Sequence, residues 1–466
     1  MLACVLALVT ADQGTVGAVG VEIKQSLDIT NTELGSLTAV SSAAGALAVL
    51  PVGVLTDRVR RVRFLTGCIA LWSLAMLVGG LADSLSWLLL SRVALGALTA
   101  AAGPTVVSLV GDFFPAAERG RIYGFILSGE MLGAGFGLVV GSTLAHLLSW
   151  HAAFWFLALL GIAFVFVIAR KLPEPKRGGQ SRLPADTLTS RAGLADKSKD
   201  RSGVGRDHDD AVRLAARRRG IGPDPALVLR RDPVRMSLWQ ATQYVLSIRT
   251  NVVLIIASVI GYFFFAGLRT FAVVFVHGQY GVSQAALTGL VFLIGAGALL
   301  GVLSGGRIAD RFARRGHISA RMVIPSVAYI TAAVFFVPGL LTTSVAIALP
   351  FLFIAATSLS AANPPLEAAR LDVVHFRLWG RAESVRTFLR VGAEAVAPVT
   401  FGVLADVLGP GGTTSAQGLR YAFLIMLVPL AANAVVLLHG RHAYPRDVAT
   451  AAASERMTGT DRRRVR

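Results

Sequence analysis

The chain has 466 residues, of which 54% are hydrophobic and only 15% charged, and its mean hydropathy is +0.64. A water-soluble protein of this length carries far more charge, so the composition excludes the ordinary globular classes and points to a membrane protein. The formal net charge of +18 would suggest nucleic acid in a soluble chain, but here the basic residues fall between apolar runs, where they set topology instead.

About 20 apolar residues at 1.5 Å each span the hydrocarbon core of a bilayer. Runs of that length are predicted at residues 2–24, 33–56, 62–82, 85–111, 121–148 and 152–169. A second set follows at 250–276, 284–306, 320–341, 345–371, 382–408 and 419–440. The expected fold is therefore all-α, with twelve transmembrane helices in two six-helix bundles covering residues 1–170 and 248–443. The first run carries Asp12, lacks a basic lead-in and has no small-residue cleavage pattern after it, so it reads as a retained helix rather than a signal peptide. It starts abruptly, as expected if the natural N-terminus lies upstream.

Between the two sets, residues 171–247 are basic and contain Pro173, Pro175, Gly178, Gly179 and Arg217-Arg218-Arg219, with few large apolar side chains up to about residue 235. That composition predicts a mostly disordered linker. Its end, from Met236 to Val245, has the pattern of a short amphipathic surface helix. Residues 444–466 form a polar, basic tail. Cys4 and Cys68 both lie within apolar runs, so neither a structural disulfide nor a metal site is expected.

Alternate short loops concentrate the arginines: Arg58, Arg60, Arg61 and Arg63; Arg119 and Arg121; Arg311, Arg314 and Arg315; Arg377 and Arg381. The intervening loops carry little beyond Lys24 and Arg420. The positive-inside rule then places both termini and the linker in the cytoplasm, in a multi-pass protein of the cell (inner, plasma) membrane.

Two segments in corresponding places repeat one another. Gly53-Val54-Leu55-Thr56-Asp57-Arg58 follows the second run, and Gly306-Arg307-Ile308-Ala309-Asp310-Arg311 follows the eighth, with Gly, Asp and Arg at the same offsets. Arg119-Gly120-Arg121 and Trp379-Gly380-Arg381 form a second pair, ahead of the fifth and eleventh runs. Internal repeats of this kind mark transporters in which one half rocks against the other around a central site.

The doubled Gly-x-x-x-Asp-Arg loop resembles the signature loop of the major facilitator superfamily. Leu88, Arg92 and Gly96 in the fourth run are similar to that superfamily's fourth-helix arginine motif, and Phe113-Phe114-Pro115 followed by Arg119-Gly120-Arg121 is similar to its next loop. Pro104 through Pro115 and Asn363-Pro364-Pro365 bear a looser likeness to spinster-like lipid transporters, and the glycines of the fifth run to drug exporters. The resemblance implies a transporter rather than an enzyme. It also implies a gate made of Gly53, Asp57, Arg58 and Arg61 with Gly306, Asp310, Arg311 and Arg314, in which the aspartates latch onto neighbouring helix N-termini when the cytoplasmic side is shut.

A charge near the bilayer centre costs on the order of 3 kcal/mol, so such residues face a cavity or a partner. Asp12 and Glu130 fall close to the midplane and, with Arg92, are the proton-coupling candidates; a structural hydrogen bond, or a salt bridge to Arg92, is the competing reading. Arg386, Arg390 and Glu394 lie on one stripe of the eleventh helix, with Arg390 at the depth of Glu130. They are candidates for the substrate cavity, together with Asn363, where two prolines kink the tenth helix. A local Arg390–Glu394 pair is the alternative. Gly129, Gly133, Gly137 and Gly141 form a ridge suited to close helix packing, and also to a smooth sliding face.

The leading expectation is a proton-driven exporter of a hydrophobic or amphipathic small molecule, with protons and membrane lipid as partners, no cofactor, no metal and a monomeric state. A proton-coupled importer of a small polar or anionic solute, or a lipid or lysolipid transporter, is the alternative within the fold. An integral membrane sensor is the alternative outside it. No nucleophile elbow or phosphate-binding loop is present to support an enzyme.

Overall fold

Pro104 and Pro364 set the shape of the two helices that line the middle of the molecule. Neither can donate a main-chain hydrogen bond four residues back, so each helix breaks just ahead of its proline. The computed structural model describes residues 1–29, 31–177, 211–230, 232–281, 284–409 and 416–464. In it the fourth span is split into α5 (Leu85–Thr99) and α6 (Ala102–Phe113), and the tenth into α14 (Val345–Ala361) and α15 (Asn363–Val373). The kink expected at Asn363 is thus present, and its counterpart at Pro104 sits in the same place in the other half.

The remaining helices of the first half are α1 (Leu2–Ala18), α2 (Gly20–Leu27), α3 (Asn31–Arg58), α4 (Arg61–Gly79), α7 (Arg119–Leu147) and α8 (Trp150–Lys171). After α9 (Ala211–Arg218) and α10 (Leu238–Ser247), the second half continues with α11 (Arg249–Tyr280), α12 (Gln284–Arg314) and α13 (Ala320–Leu341). Beyond α15 come α16 (Trp379–Leu408), α17 (Ala416–Gly440) and α18 (Tyr444–Arg464). Among the described residues, eleven helical stretches are long and apolar enough to cross a membrane, and α1 is a shorter apolar helix. Counting each broken pair as one span, each half contributes six.

Inside a bilayer no hydrophobic effect drives helices together, so close packing must do it. The glycine ridge of α7 shows how. A Cβ on Gly129, Gly133 or Gly137 would fall 2.8, 2.2 or 2.0 Å from the carbonyl oxygen of Ala3, Ala7 or Ala11 of α1. In this conformation the ridge is thus a close packing surface between α7 and α1 within one half. Large side chains such as Leu71, Leu74, Val334 and Val435 are more than half exposed, as expected where a helix meets lipid.

The segment joining the halves differs in part from its expected disorder. Residues 178–210, where most of that expectation falls, lie outside the described residues. Residues 211–230, by contrast, pack against the tail. Arg213 of α9 pairs with Glu455 of α18 at 2.7 Å, and the main chain of Asp224 and Leu229 donates to Thr450 and Ser454. The amphipathic helix forms as α10, opened by a reciprocal capping box between Ser237 and Gln240. Composition alone could not reveal this, because the linker's partners lie more than two hundred residues away in α18.

Candidate functional site

At the end of the bundle that carries the linker and tail, two aspartates each reach across to the opposite half. Gly53 lets α3 approach α16 so closely that a Cβ there would sit 2.9 Å from the carbonyl of Gly380. One turn further on, Asp57 accepts the main-chain N–H groups of Gly380 and Arg381 at 2.9 and 3.1 Å. These are orphan donors in the first turn of α16, where the helix dipole favours an anion. The Arg381 guanidinium adds an ion pair with Asp57 at 3.1 Å.

The same arrangement recurs with the halves exchanged. Gly306 touches the main chain of Gly120, and Asp310 accepts from the main chain of Gly120 and Arg121 at 3.3 and 2.8 Å. Arg321 supports Asp310 at 2.9 Å. The sequence-predicted residues Gly53, Asp57, Gly306 and Asp310 are therefore brought together at one end, which we call the latch end. Arg314 donates to the carbonyl of Ala117 across the same boundary at 3.0 Å. Arg58 and Arg311 are exposed. Arg61 instead turns inward to Asp112 within its own half, and its main-chain N–H donates to Glu174 at 3.0 Å.

Sequence reasoning missed the supports of this latch. Arg61–Asp112 in one half is matched by Arg321–Asp372 in the other, and Asp372 also receives Arg119 at 3.5 Å from across the boundary. The spacing from Arg61 to Asp112 equals that from Arg321 to Asp372, so the internal repeat was the signal available for finding them.

Halfway through the bundle the picture changes. Glu130 on α7 and Arg390 on α16 each lie eleven residues into their helices, about 16 Å from the latch end, close to mid-depth. Glu130 is half-buried, and the charged groups within electrostatic reach of its carboxylate are Arg390, Glu394, Arg386 and Arg269, all from the opposite half. Arg390 stacks over the ring of Tyr262 at 4.3 Å and sits 3.5 Å from Glu394 of its own helix. The local pair expected as an alternative is thus present, though its Nε···Oε1 contact lacks hydrogen-bond geometry. Asn363 is half-buried at the first position of α15.

Two other candidates are engaged in struts. Asp12 and Arg92 pair at 2.9 Å, both buried, and the guanidinium lies 4.7 Å from the centre of the Phe154 ring. This ties α1, α5 and α8 together within one half. Arg386 does not share the stripe role expected of it. It is locked to Glu383 and, at 3.4 Å, to Glu367, and donates to Ser258 at 2.7 Å. Arg370 completes this buried set of two acids and two bases by contacting both glutamates. Its charges balance, so its evident work is to fasten α11, α15 and α16. Among the described residues no His, Cys, Asp and Glu cluster is arranged to hold a metal ion.

A sequence profile of the Major Facilitator Superfamily matches residues 2–398. The chain belongs to this superfamily. Similar curated members include a probable L-galactonate transporter of Escherichia coli, 28% identical over 152 residues, which are 32% of this chain and 33% of that protein. Protein spinster of Drosophila melanogaster is 28% identical over 180 residues, 38% of this chain and 30% of its own length. These matches thus span about a third of each relative. Solved structures cover the fold more completely. The facilitator FucP in an outward conformation superposes with a TM-score of 0.65 at 11% identity, over 94% of this chain and 97% of that one. A bacterial homolog of spinster in an inward-facing, occupied conformation gives 0.53 at 20% identity, over 95% and 94%. The chain is accordingly a multi-pass facilitator-type transporter; among the described residues its halves are joined through charge at the latch, and charged groups of both halves approach one another at mid-depth.

Proposed function

We propose that this facilitator moves a small solute bearing an anionic group by alternating access, with Glu130 carrying a coupled proton and Arg390 holding the solute. The observation that supports it is that Glu130 of the first half lies at mid-depth within electrostatic reach of Arg390, Glu394, Arg386 and Arg269 of the second. Arg390 is held only loosely by Glu394, so an incoming carboxylate or phosphate can replace that partner with a charge-assisted, bidentate contact. Protonation of Glu130 then removes a negative charge from the cavity as the anion enters. The relative named for L-galactonate fits the same chemistry.

The closed latch supports an assignment of this conformation to the state whose cavity opens at the opposite end. Arginine placement supports a cytoplasmic position for the latch end, hence for both termini, and makes that opening external. Export of an amphipathic molecule is the second reading, favoured by the similarity to spinster proteins.

Proteoliposomes with an imposed pH gradient test the proposal directly, using labelled galactonate, niacin and a lysophospholipid. The expected result is gradient-driven movement of a carboxylate solute, reduced roughly tenfold by Arg390→Ala through loss of a charged hydrogen bond. Movement that ignores both the gradient and the substitution overturns it. Gradient-driven movement of the lysophospholipid alone establishes the second reading.

A further inference from the structure

The latch end contains a cavity of about 710 Å³ whose lining includes the latch residues Arg121, Asp310 and Arg314 but shares no residue with the mid-depth cluster. Its walls come from both halves. Glu118 and Arg121 belong to the segment opening α7, and Arg307, Arg311, Arg314 and Arg315 to the end of α12 and just beyond it. Five arginines against two acids leave an excess of positive charge, and Asp310 is already committed to the main chain of α7 and to Arg321. Glu118 engages Arg121 at 3.2 Å. Among the described residues no carboxylate pairs with Arg311 or Arg315, and both are exposed.

The surroundings are apolar and face outward. Phe125, Ile308 and Phe312 are 46%, 45% and 40% exposed, and Arg307 stacks over Phe125 at 5.1 Å. In a membrane-spanning bundle, exposed aromatic and branched side chains contact acyl chains, while arginines beside them lie at headgroup level. The volume is that of an ordinary ligand pocket.

We infer that this cavity binds the headgroup of an anionic phospholipid from the leaflet at the latch end, with its phosphodiester among Arg311, Arg314 and Arg315 and its acyl chains along Phe125, Ile308 and Phe312. Guanidinium groups suit the phosphate, and the apolar rim selects a lipid over a soluble anion. Because Phe125 belongs to α7 of one half and Arg311 and Arg314 to α12 of the other, a lipid seated in this way bridges the halves and favours the closed latch. The site does not depend on which solute is carried or on which side of the membrane the latch lies.

Native mass spectrometry of the full-length, delipidated protein tests this with phosphatidylglycerol, phosphatidylcholine and soluble glycerol phosphate. Phosphatidylglycerol should bind well ahead of the other two. Arg311→Gln and Arg315→Gln should each weaken it about fivefold, the effect of one basic residue near a charged headgroup. Arg315 lies just beyond the end of α12 and is exposed, so its substitution leaves the fold intact. Equal binding of phosphatidylcholine, or full retention of phosphatidylglycerol by both variants, overturns the site. Glycerol phosphate binding as tightly as the lipid also overturns it, marking a soluble-anion site instead.

Discussion

Asp57 caps the first turn of α16 through Gly380, while Asp310, its counterpart in the repeat, caps the first turn of α7 through Arg121. Each half thus places an acid on a helix N-terminus of the other, and four main-chain hydrogen bonds, two to each aspartate, close one end of the molecule symmetrically. Asp57→Asn keeps the shape but removes the charge that both the helix terminus and Arg381 favour. Transport should fall roughly tenfold or more, since a buried charge pair that loses one member costs about 3–5 kcal/mol in the state that contains it. Expression and thermal stability should change little, because only one of the states in the cycle is affected. A rate equal to wild type at equal expression would reduce Asp57 to a topological anchor.

The glycines of the latch make a steric prediction that is independent of charge. A Cβ on Gly306 would lie 1.9 Å from the carbonyl oxygen of Gly120, a main-chain atom that cannot swing aside. Gly306→Ala should therefore push α7 and α12 apart and disfavour the closed latch by about 1–3 kcal/mol, as overpacking does elsewhere. Ser128 lies one turn beyond Gly124, which touches Val302 across the same boundary. In a background lacking Cys4 and Cys68, a cysteine at position 128 should react faster with a latch-side thiol reagent when Gly306→Ala is present. Gly135→Ala is the control, since a Cβ there meets nothing within 4 Å. Equal acceleration by both substitutions would remove the steric account.

Much of this architecture was legible in the sequence, and the reasons are physical. Spans are dictated by the thickness of the bilayer, so their positions followed from counting apolar residues. Latch residues were visible because the repeat sets Gly, Asp and Arg at the same offsets and resembles the superfamily's signature loop; the close approach of Gly53 and Gly306 and the capping by Asp57 and Asp310 account for those residue types. Charge partners were not legible. Arg386 and Arg390 share a helical stripe, yet one is locked to Glu383 and Glu367 while the other lies loosely over Tyr262. Only the three-dimensional neighbours from α11 and α15 separate them. The packing of α9 on α18 was hidden for the same reason, being a match between two polar segments that each look unstructured alone.

Asp12 and Arg92 allow a clean separation of structure from coupling. The pair is buried, and both members belong to the same half. Arg92→Ala strands a buried carboxylate and should destabilise the protein by about 3–5 kcal/mol, seen as a large fall in Tm. Replacing both residues by apolar ones of similar size should restore much of that loss. If Asp12→Asn instead leaves Tm unchanged and abolishes the response to a pH gradient, Asp12 carries the proton and the strut reading fails.

Orientation has its own test. Arg230 is exposed, lies in the segment that packs against α18, and sits at the latch end. With Cys4 and Cys68 replaced, a cysteine at position 230 should resist an impermeant thiol reagent in intact cells and react once the membrane is opened. Labelling in intact cells would place the latch end outside.

The sharpest prediction concerns Glu130. The residue is half-buried at mid-depth, and the charges that act most strongly on its carboxylate are Arg390, Glu394, Arg386 and Arg269 of the other half. Glu130→Gln mimics the protonated form permanently while preserving size and hydrogen-bonding capacity. Solute should therefore still bind, and exchange of labelled for unlabelled solute should persist, because neither requires the proton to leave. Accumulation against a gradient requires proton release in every cycle and should disappear. Arg390→Ala should show the opposite pattern, with binding weakened roughly tenfold and whatever transport remains still responsive to pH. The two variants together separate the roles. A single defect shared by both would mean that Glu130 and Arg390 act as one structural unit. Accumulation by Glu130→Gln with an unaltered pH response would remove the acid from the coupling mechanism altogether.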